Sequence, residues 1–416
     1  MQGAFRPTRV VALLLGAVTL AVTASCGVNG AGSGSGIPVG GLTLLTGQFA
    51  TFGQGALQGL KAGVNEVNSA GGVMGKKYNL VVADSTSDPV DAIPAAVKLV
   101  NVQHVTLENG VAGPLADATV SLFTKAGIPF LTPGGDVNFD HNTNPLVWRL
   151  TPSDSQLGVA MSLYAHSKGY HSAALMFTNG STATGLSQVV SRSFQAQGGR
   201  IVSSLTVQPD LSSYQSEVSR TLASHPDVIL VEMDAATAGV VFREMFSQNG
   251  LSIPLVGTDE DIGADFLKAV SPKLANKALV SLQGGTFQSP AVNVFTSQVN
   301  KVSHQQPIAN AQYTYDGIII SALAMDAVKG TTSRDLNNGI LRVTAPGGTM
   351  VYSYAQGVAA LKAGKRVTYV GASGPFYYNK YHNVFGPFLA VKVTPDGKTY
   401  NTVATFSPTE LAHATQ

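Results

Sequence analysis

Six short segments of this 416-residue chain hold five carboxylates and no lysine, arginine or histidine. They are residues 46–53 (TGQFATFG), 112–115 (AGPL), 132–136 (TPGGD), 178–184 (TNGSTAT), 234–237 (DAAT) and 258–261 (TDED). The acids are Asp136, Asp234, Asp259, Glu260 and Asp261. If these segments face one cleft, they suit a cation, a zwitterion or a neutral molecule rich in donors. A phosphate, a sulfate or a dicarboxylate would meet only like charge, and burying an unpaired charge is costly.

Catalytic chemistry finds less support. The sequence contains neither G-x-S-x-G nor H-E-x-x-H, and its eight histidines are scattered, so no nucleophile elbow or helical zinc site is encoded. The run 71–77 (GGVMGKK) imitates a phosphate loop only superficially: residue 70 is Ala, the run ends in Lys rather than Ser or Thr, and it follows a helical pattern instead of a strand. The expectation is a binding protein rather than an enzyme, with no cofactor and no metal.

The six segments belong together because of the elements around them. Short β-branched runs at 39–45, 80–83, 105–107 and 128–131 alternate with amphipathic stretches such as 54–68 and 91–100. That βαβ rhythm predicts a parallel sheet. Residues 146–154 (LVWRLTPSD) interrupt it, and it restarts with runs at 173–177, 201–207, 228–231 and 255–257, predicting a second α/β domain. A glycine-marked interruption at 280–290 precedes helical patterns at 292–302, 315–328 and 333–341, and the segments 384–393 and 401–406 read as terminal strands. Open parallel sheets bind ligands beyond the carboxyl ends of their strands, where loops meet helix N-termini, and the six segments are the loops at those ends.

The single cysteine, Cys26, stands apart from the body. Before it lie Arg6 and Arg9, an apolar run of 13 residues at 10–22, and the small residues Thr23, Ala24 and Ser25, which is the layout of a signal peptide. The run is short against the about 20 residues a membrane-spanning helix needs. Small residues directly before a cysteine resemble the lipobox of bacterial lipoproteins, which implies cleavage ahead of Cys26 and a lipid on its thiol. Residues 27–36 (GVNGAGSGSG) have the composition of a flexible tether. Loss of Arg6 and Arg9 with the signal removes no acid, so the 26 basic and 24 acidic residues of the whole chain come into balance. Nothing in that balance invites nucleic acid. The apolar segment around residues 317–328 is broken by Asp326 and is not read as a membrane span. An exported body on a lipid tether, in the cell envelope, is the expectation.

Residues 65–76 (NEVNSAGGVMGK), then Asp84 and 87–89 (SDP), resemble the opening of the leucine/isoleucine/valine-type periplasmic binding proteins. Residues 126–135 (AGIPFLTPGG), 225–250, 254–260 (PLVGTDE) and 313–328 (YTYDGIIISALAMDAV) follow in that family's order and spacing. The resemblance implies two Rossmann-like α/β lobes with parallel central sheets, a type I periplasmic binding fold. It implies three hinge crossovers, near 148–151, 283–286 and 373–378, and a small ligand enclosed as the lobes close. Residues 1–25 are then the signal peptide and 26–36 the lipidated cysteine and tether. Residues 37–149 with 284–374 form the first lobe, and 150–283 with 375–416 the second. The implied partners are a small amino-acid or amide-like solute, an ABC transporter permease and the membrane through the anchor, the protein acting as a monomer. A ligand-sensing receptor module of the same fold is the alternative.

The resemblance and the loops at the strand ends together supply the candidate site residues. Asp259 aligns with the acid that takes a ligand ammonium, although an Asp just before a helix equally serves as its cap. Phe52 matches an aromatic residue that packs on the ligand, and equally a ring covering the sheet edge. Asp234 stands where several relatives have an aromatic ring, which makes that wall more polar. Gly113 and Pro114 occupy the loop where amino-acid-binding relatives supply serine hydroxyls, leaving the backbone of Leu115 and of the turn with Gly134, Gly135 and Asp136 to replace them, since Pro114 has no donor. Thr184 completes the expected contact set.

Overall fold

A computed structural model describes residues 36–47, 50–285 and 287–414. The expected signal sequence, Cys26 and the expected tether to residue 35 lie outside the described residues, as do Gln48 and Phe49 of the segment 46–53 and Thr286 of the second expected crossover.

The chain is divided between two sheets. The first contains β1 (Ile37–Thr43), β2 (Tyr78–Asp84), β3 (Glu108–Asn109), β4 (Phe130–Thr132) and β5 (Val147–Arg149) in the order β2-β1-β3-β4-β5, with every pair parallel. The second begins with β6 (Ser172–Thr178), β7 (Arg200–Val207), β8 (Val228–Glu232), β9 (Leu255–Gly257) and β10 (Leu279–Gly284). A small sheet of β11 (Thr349–Val351), β12 (Val367–Gly371) and β13 (Gly374–Pro375) follows, before β14 (Phe388–Val393) and β15 (Tyr400–Phe406) return to the second sheet. Its order is β15-β14-β10-β9-β8-β6-β7. The pairs from β7 to β10 are parallel, and β14 and β15 form an antiparallel edge on an otherwise parallel lobe.

Burial explains the sequence pattern. The central strands β6 (SAALMFT) and β8 (VILVE) are covered on both faces, so they read as continuous apolar runs, whereas the edge strands β7 and β15 keep many exposed positions. On one face of the first sheet Leu60, Ile318 and Leu323 pack from helices Ala50–Ser69 and Ala311–Val328, and Leu99 and Phe123 cover the other. Leu186 and Phe194 cover one face of the second sheet, and Val218, Phe242 and Phe266 the other. Helix Ala311–Val328 is apolar because it is buried along most of its length. No helix among the described residues is long and apolar enough to cross a membrane.

Three expectations change in detail. The interruption at 146–154 contains β5, concealed because its third residue, Arg149, is a charged side chain buried by pairing with Asp140. The interruption at 280–290 begins with β10, whose Ser281, Gln283 and Gly284 break the apolar run. The strand expected at 105–107 pairs at 108–109 instead, with Val105 and Leu107 buried in the approach to it. The chain passes between the sheets after β5, after β10 and after β13. Leu150 still donates to the Thr132 carbonyl at 2.8 Å, so the first passage starts beyond it.

Candidate functional site

A cavity of about 420 Å³ lies between the carboxyl ends of the two sheets. The first lobe lines it with Phe52, Gly113, Leu115, Gly134, Gly135 and Asp136, and the second with Asp154, Thr182, Glu232, Asp234, Asp259 and Glu260, among others. No Lys, Arg or His is among the described residues that line it.

Each acid is placed by local structure. Asp136 follows β4 and is held at both oxygens, by the Gly113 N–H at 3.0 Å and by the Thr182 hydroxyl at 2.8 Å. Gly113 has a φ of +62°, a conformation that costs glycine little, and this aims its N–H at the carboxylate. Asp154 opens helix Asp154–Ser167, capped by Ser153. Its carboxylate lies against Gly135, where a Cβ would come within 2.0 Å of Oδ1, so a side chain at 135 would push the carboxylate aside. Glu232 is the last residue of β8. Asp234 caps helix Ala235–Asn249, its Oδ1 accepting from the N–H groups of Ala236 and Thr237 at 3.0 Å each.

The short helical turn Asp259–Asp261 resolves two readings. Its cap is Thr258, and the reciprocal partner is Asp261, which accepts the Thr258 N–H at 2.8 Å and the Met233 N–H at 3.3 Å. Asp259 therefore does not cap the turn. It lies inside the cavity, where water reaches its carboxyl although protein surrounds it. Asp261, counted among the cleft acids from sequence, is fully buried beneath the turn and does not line the cavity.

Burial without countercharge shapes the electrostatics. It pushes the Glu232 and Asp154 carboxyls well above the usual carboxylate range, with neighbouring carboxylates adding to the effect. Glu260 is pushed up to about 7, first by burial and then by Asp259, Asp234 and Asp136. The protein packed around the cavity also raises Asp259, although the residue is exposed to solvent there. The nearby cation, Arg149, is turned away: it is 1% exposed, pairs with Asp140 at 2.7 Å and donates to the Asp136 carbonyl. It moderates Asp154 without reaching the cavity surface.

The periplasmic binding protein family model matches residues 36–398. The chain belongs to that family. Over 53% of its length this periplasmic binding protein is 24% identical to the Leu/Ile/Val-binding protein homolog 3 of Brucella melitensis, and the match spans 61% of that relative. Among solved structures it resembles the branched-chain amino acid transporter substrate-binding protein LivJ of Streptococcus pneumoniae in complex with isoleucine, with a TM-score of 0.74 and 20% identity over 89% of this chain and 99% of that one. It also resembles an ABC transporter solute-binding protein of R. palustris in complex with benzoate, with a TM-score of 0.72 and 18% identity over 90% of this chain and 97% of that one. The fold is a type I periplasmic binding fold with two lobes.

Of the expected site residues, Phe52, Gly113, Leu115, Gly134, Gly135, Asp136, Asp234 and Asp259 line the cavity. Thr184 does not: it is exposed on helix Ser181–Ala196, and Thr182 lines the cavity in its place. The Gly113 N–H, in the loop expected to receive a carboxylate, is already used by Asp136. Asp154 and Glu232 lie outside the six segments that the sequence places at the cleft. Asp154 sits on the passage between lobes rather than in a loop after a parallel strand, and Glu232 lies within a strand. An acid ending an otherwise apolar strand was the available signal for Glu232.

Proposed function

We propose that this protein is an extracytoplasmic solute-binding lipoprotein that encloses a small polar or zwitterionic solute, amino-acid or amide-like, and delivers it to an ABC importer. The observation that carries the reading is the cavity between the two lobes, walled by acids with no basic side chain among its described lining. Its size falls within the range of small-molecule sites. Family membership and the isoleucine complex of a structural relative support an amino-acid-like solute. The benzoate complex of another relative does not transfer readily, because a carboxylate without an ammonium would enter a field of like charge.

In this reading Phe52, Gly113, Leu115, Gly134, Gly135, Asp136, Thr182, Asp234 and Asp259 face the solute, with Asp259 receiving an ammonium. The lobes comprise 37–149 with 284–374 and 150–283 with 375–416, on a tether from a lipidated Cys26, as a monomer. Calorimetric titration with zwitterionic amino acids, their amides and benzoate tests the solute class. Saturable binding of an ammonium-bearing or amide solute, with none of benzoate, is expected. Tight binding of benzoate or of a dicarboxylate overturns it.

A further inference from the structure

The cavity offers more acceptors than a single ammonium can use. The carboxyl groups of Asp154, Glu232, Asp259 and Glu260 accept no hydrogen bond from any other described residue, yet all four residues line the cavity. Two oxygens stand out. Oε2 of Glu232 and Oδ2 of Asp234 are buried without a hydrogen-bond partner, on side chains only 5% and 8% exposed. Native proteins rarely leave such atoms unpaired, and doing so costs about 1–3 kcal/mol each, more for a charged group.

The positions of these groups explain their clustering. Glu232 ends β8, and Asp234 follows two residues later on extended backbone, where alternate side chains share a face. β9 lies beside β8, and its carboxyl-end loop brings Asp259 and Glu260 to the same place. Asp154 comes from the first turn of its helix against Gly135. Asp136 is satisfied by Thr182 and Gly113 and is not part of the surplus.

An ammonium has three N–H donors. Four unpartnered carboxyl groups and the free oxygen of Asp234 exceed that supply, so a single ammonium leaves several acceptors without a donor. No group of acids among the described residues is arranged to hold a metal ion, so a single divalent cation is a poor occupant. We propose that the enclosed solute carries two separated protonated nitrogens, as an aliphatic diamine or a basic amino acid does, one held at Asp259 and the other at Glu232, Asp234 and Glu260. This rests on the reading of the cavity as the solute site and names the class of solute.

The test is calorimetric titration of the full chain in detergent with cadaverine, lysine, leucine, glutamine and calcium chloride, in the wild type and in Glu232→Gln. Lysine or cadaverine should bind at least about tenfold more tightly than leucine or glutamine, the loss of one charge-assisted bond being worth about that factor. A preference for lysine over cadaverine would show that the site also reads a carboxylate, and the reverse that it does not. Glu232→Gln keeps the shape of the side chain. It should weaken the two-nitrogen solutes by about tenfold or more while changing leucine affinity little. Its melting temperature, unchanged or raised, verifies the fold. Leucine or glutamine binding as tightly as lysine and cadaverine overturns this inference and leaves the proposed function standing. Binding of calcium alone overturns it in favour of a metal site. A folded protein that binds none of the solutes overturns both.

Discussion

The hydroxyl of Thr182 donates to Oδ1 of Asp136 at 2.8 Å, and the two residues belong to different lobes. Thr182 is in the first turn of helix Ser181–Ala196, which follows β6, while Asp136 is in the loop after β4. Next to this bond Gly185 packs against Val137, where a Cβ would approach Cγ2 to 2.5 Å. One side of the cavity is therefore closed by direct contact between lobes, and the bond exists only while they are together.

That dependence makes Thr182→Val informative. A hydrogen bond to a charged acceptor is worth about 1.5–3 kcal/mol, and one formed only on closure changes the closing equilibrium rather than the stability of either lobe. Solute affinity should fall by about tenfold or more. Small-angle scattering of the ligand-free variant should give a larger radius of gyration than wild type, at an unchanged melting temperature. An unaltered affinity would mean the bond is no part of closure.

Asp259 and Asp261 are two residues apart and serve different ends, so their substitutions should separate. Asp259→Asn removes a charge from the cavity without touching the cap. Binding should weaken about ten- to a hundredfold at a constant melting temperature. Asp261→Ala strips the Thr258 and Met233 N–H groups of their acceptor and should cost about 2 kcal/mol or more of stability, read by urea denaturation. Equal behaviour of the two variants in both measurements would contradict the division of roles.

The fold was legible because its central strands are buried on both faces: the apolar runs of β6 and β8 needed no tertiary information to be read. β5 and β10 were harder, since each contains polar residues that only a partner elsewhere makes tolerable, as Asp140 does for Arg149. The site followed the same division. Loops after parallel strands point at the cleft by topology, which placed Asp136, Asp234 and Asp259 there. Whether a carboxylate in such a loop turns outward or back onto the backbone depends on which N–H groups lie within reach, and that separated Asp259 from Asp261. Thr182 rather than Thr184 follows from helical phase, which the segment TNGSTAT does not disclose until the helix start at Ser181 is known.

The anchor is tested in cells. Cys26 lies outside the described residues, and the case for its lipidation is the basic, apolar and small-residue order before it. Metabolic labelling with a fatty-acid analogue should tag wild type and fail to tag Cys26→Ser, which should accumulate with its signal sequence uncut. Equal labelling of the two would dismiss the lipoprotein reading.

Stability should fall as pH rises through neutrality in the absence of solute, and the sign follows from the raised acids. A carboxyl whose folded value lies above its unfolded value binds more protons in the native state, so unfolding becomes easier as pH increases between the two. Glu260 moves from 4.5 to about 7, and Glu232 and Asp154 are also raised well above their usual range. The groups facing them are mainly of the same sign: Asp259, Asp234 and Asp136 around Glu260, and Asp259, Asp261, Glu260 and Asp154 around Glu232, with Arg149 the cation acting on Asp154. Elsewhere, Glu108 at about 8 and Asp316 at about 6 are raised by burial and act in the same direction. His382, lowered by burial, acts in the opposite one. The melting temperature should decline between about pH 5 and 8, and Glu232→Gln should flatten that decline. A cationic solute reverses the preference, because it favours the ionised acids. Binding should tighten over the same interval and release protons, seen as a dependence of the calorimetric enthalpy on the ionisation enthalpy of the buffer. A melting temperature that rises through this interval, or solute binding without proton release, would show that the cleft carboxyls are already ionised in the empty protein.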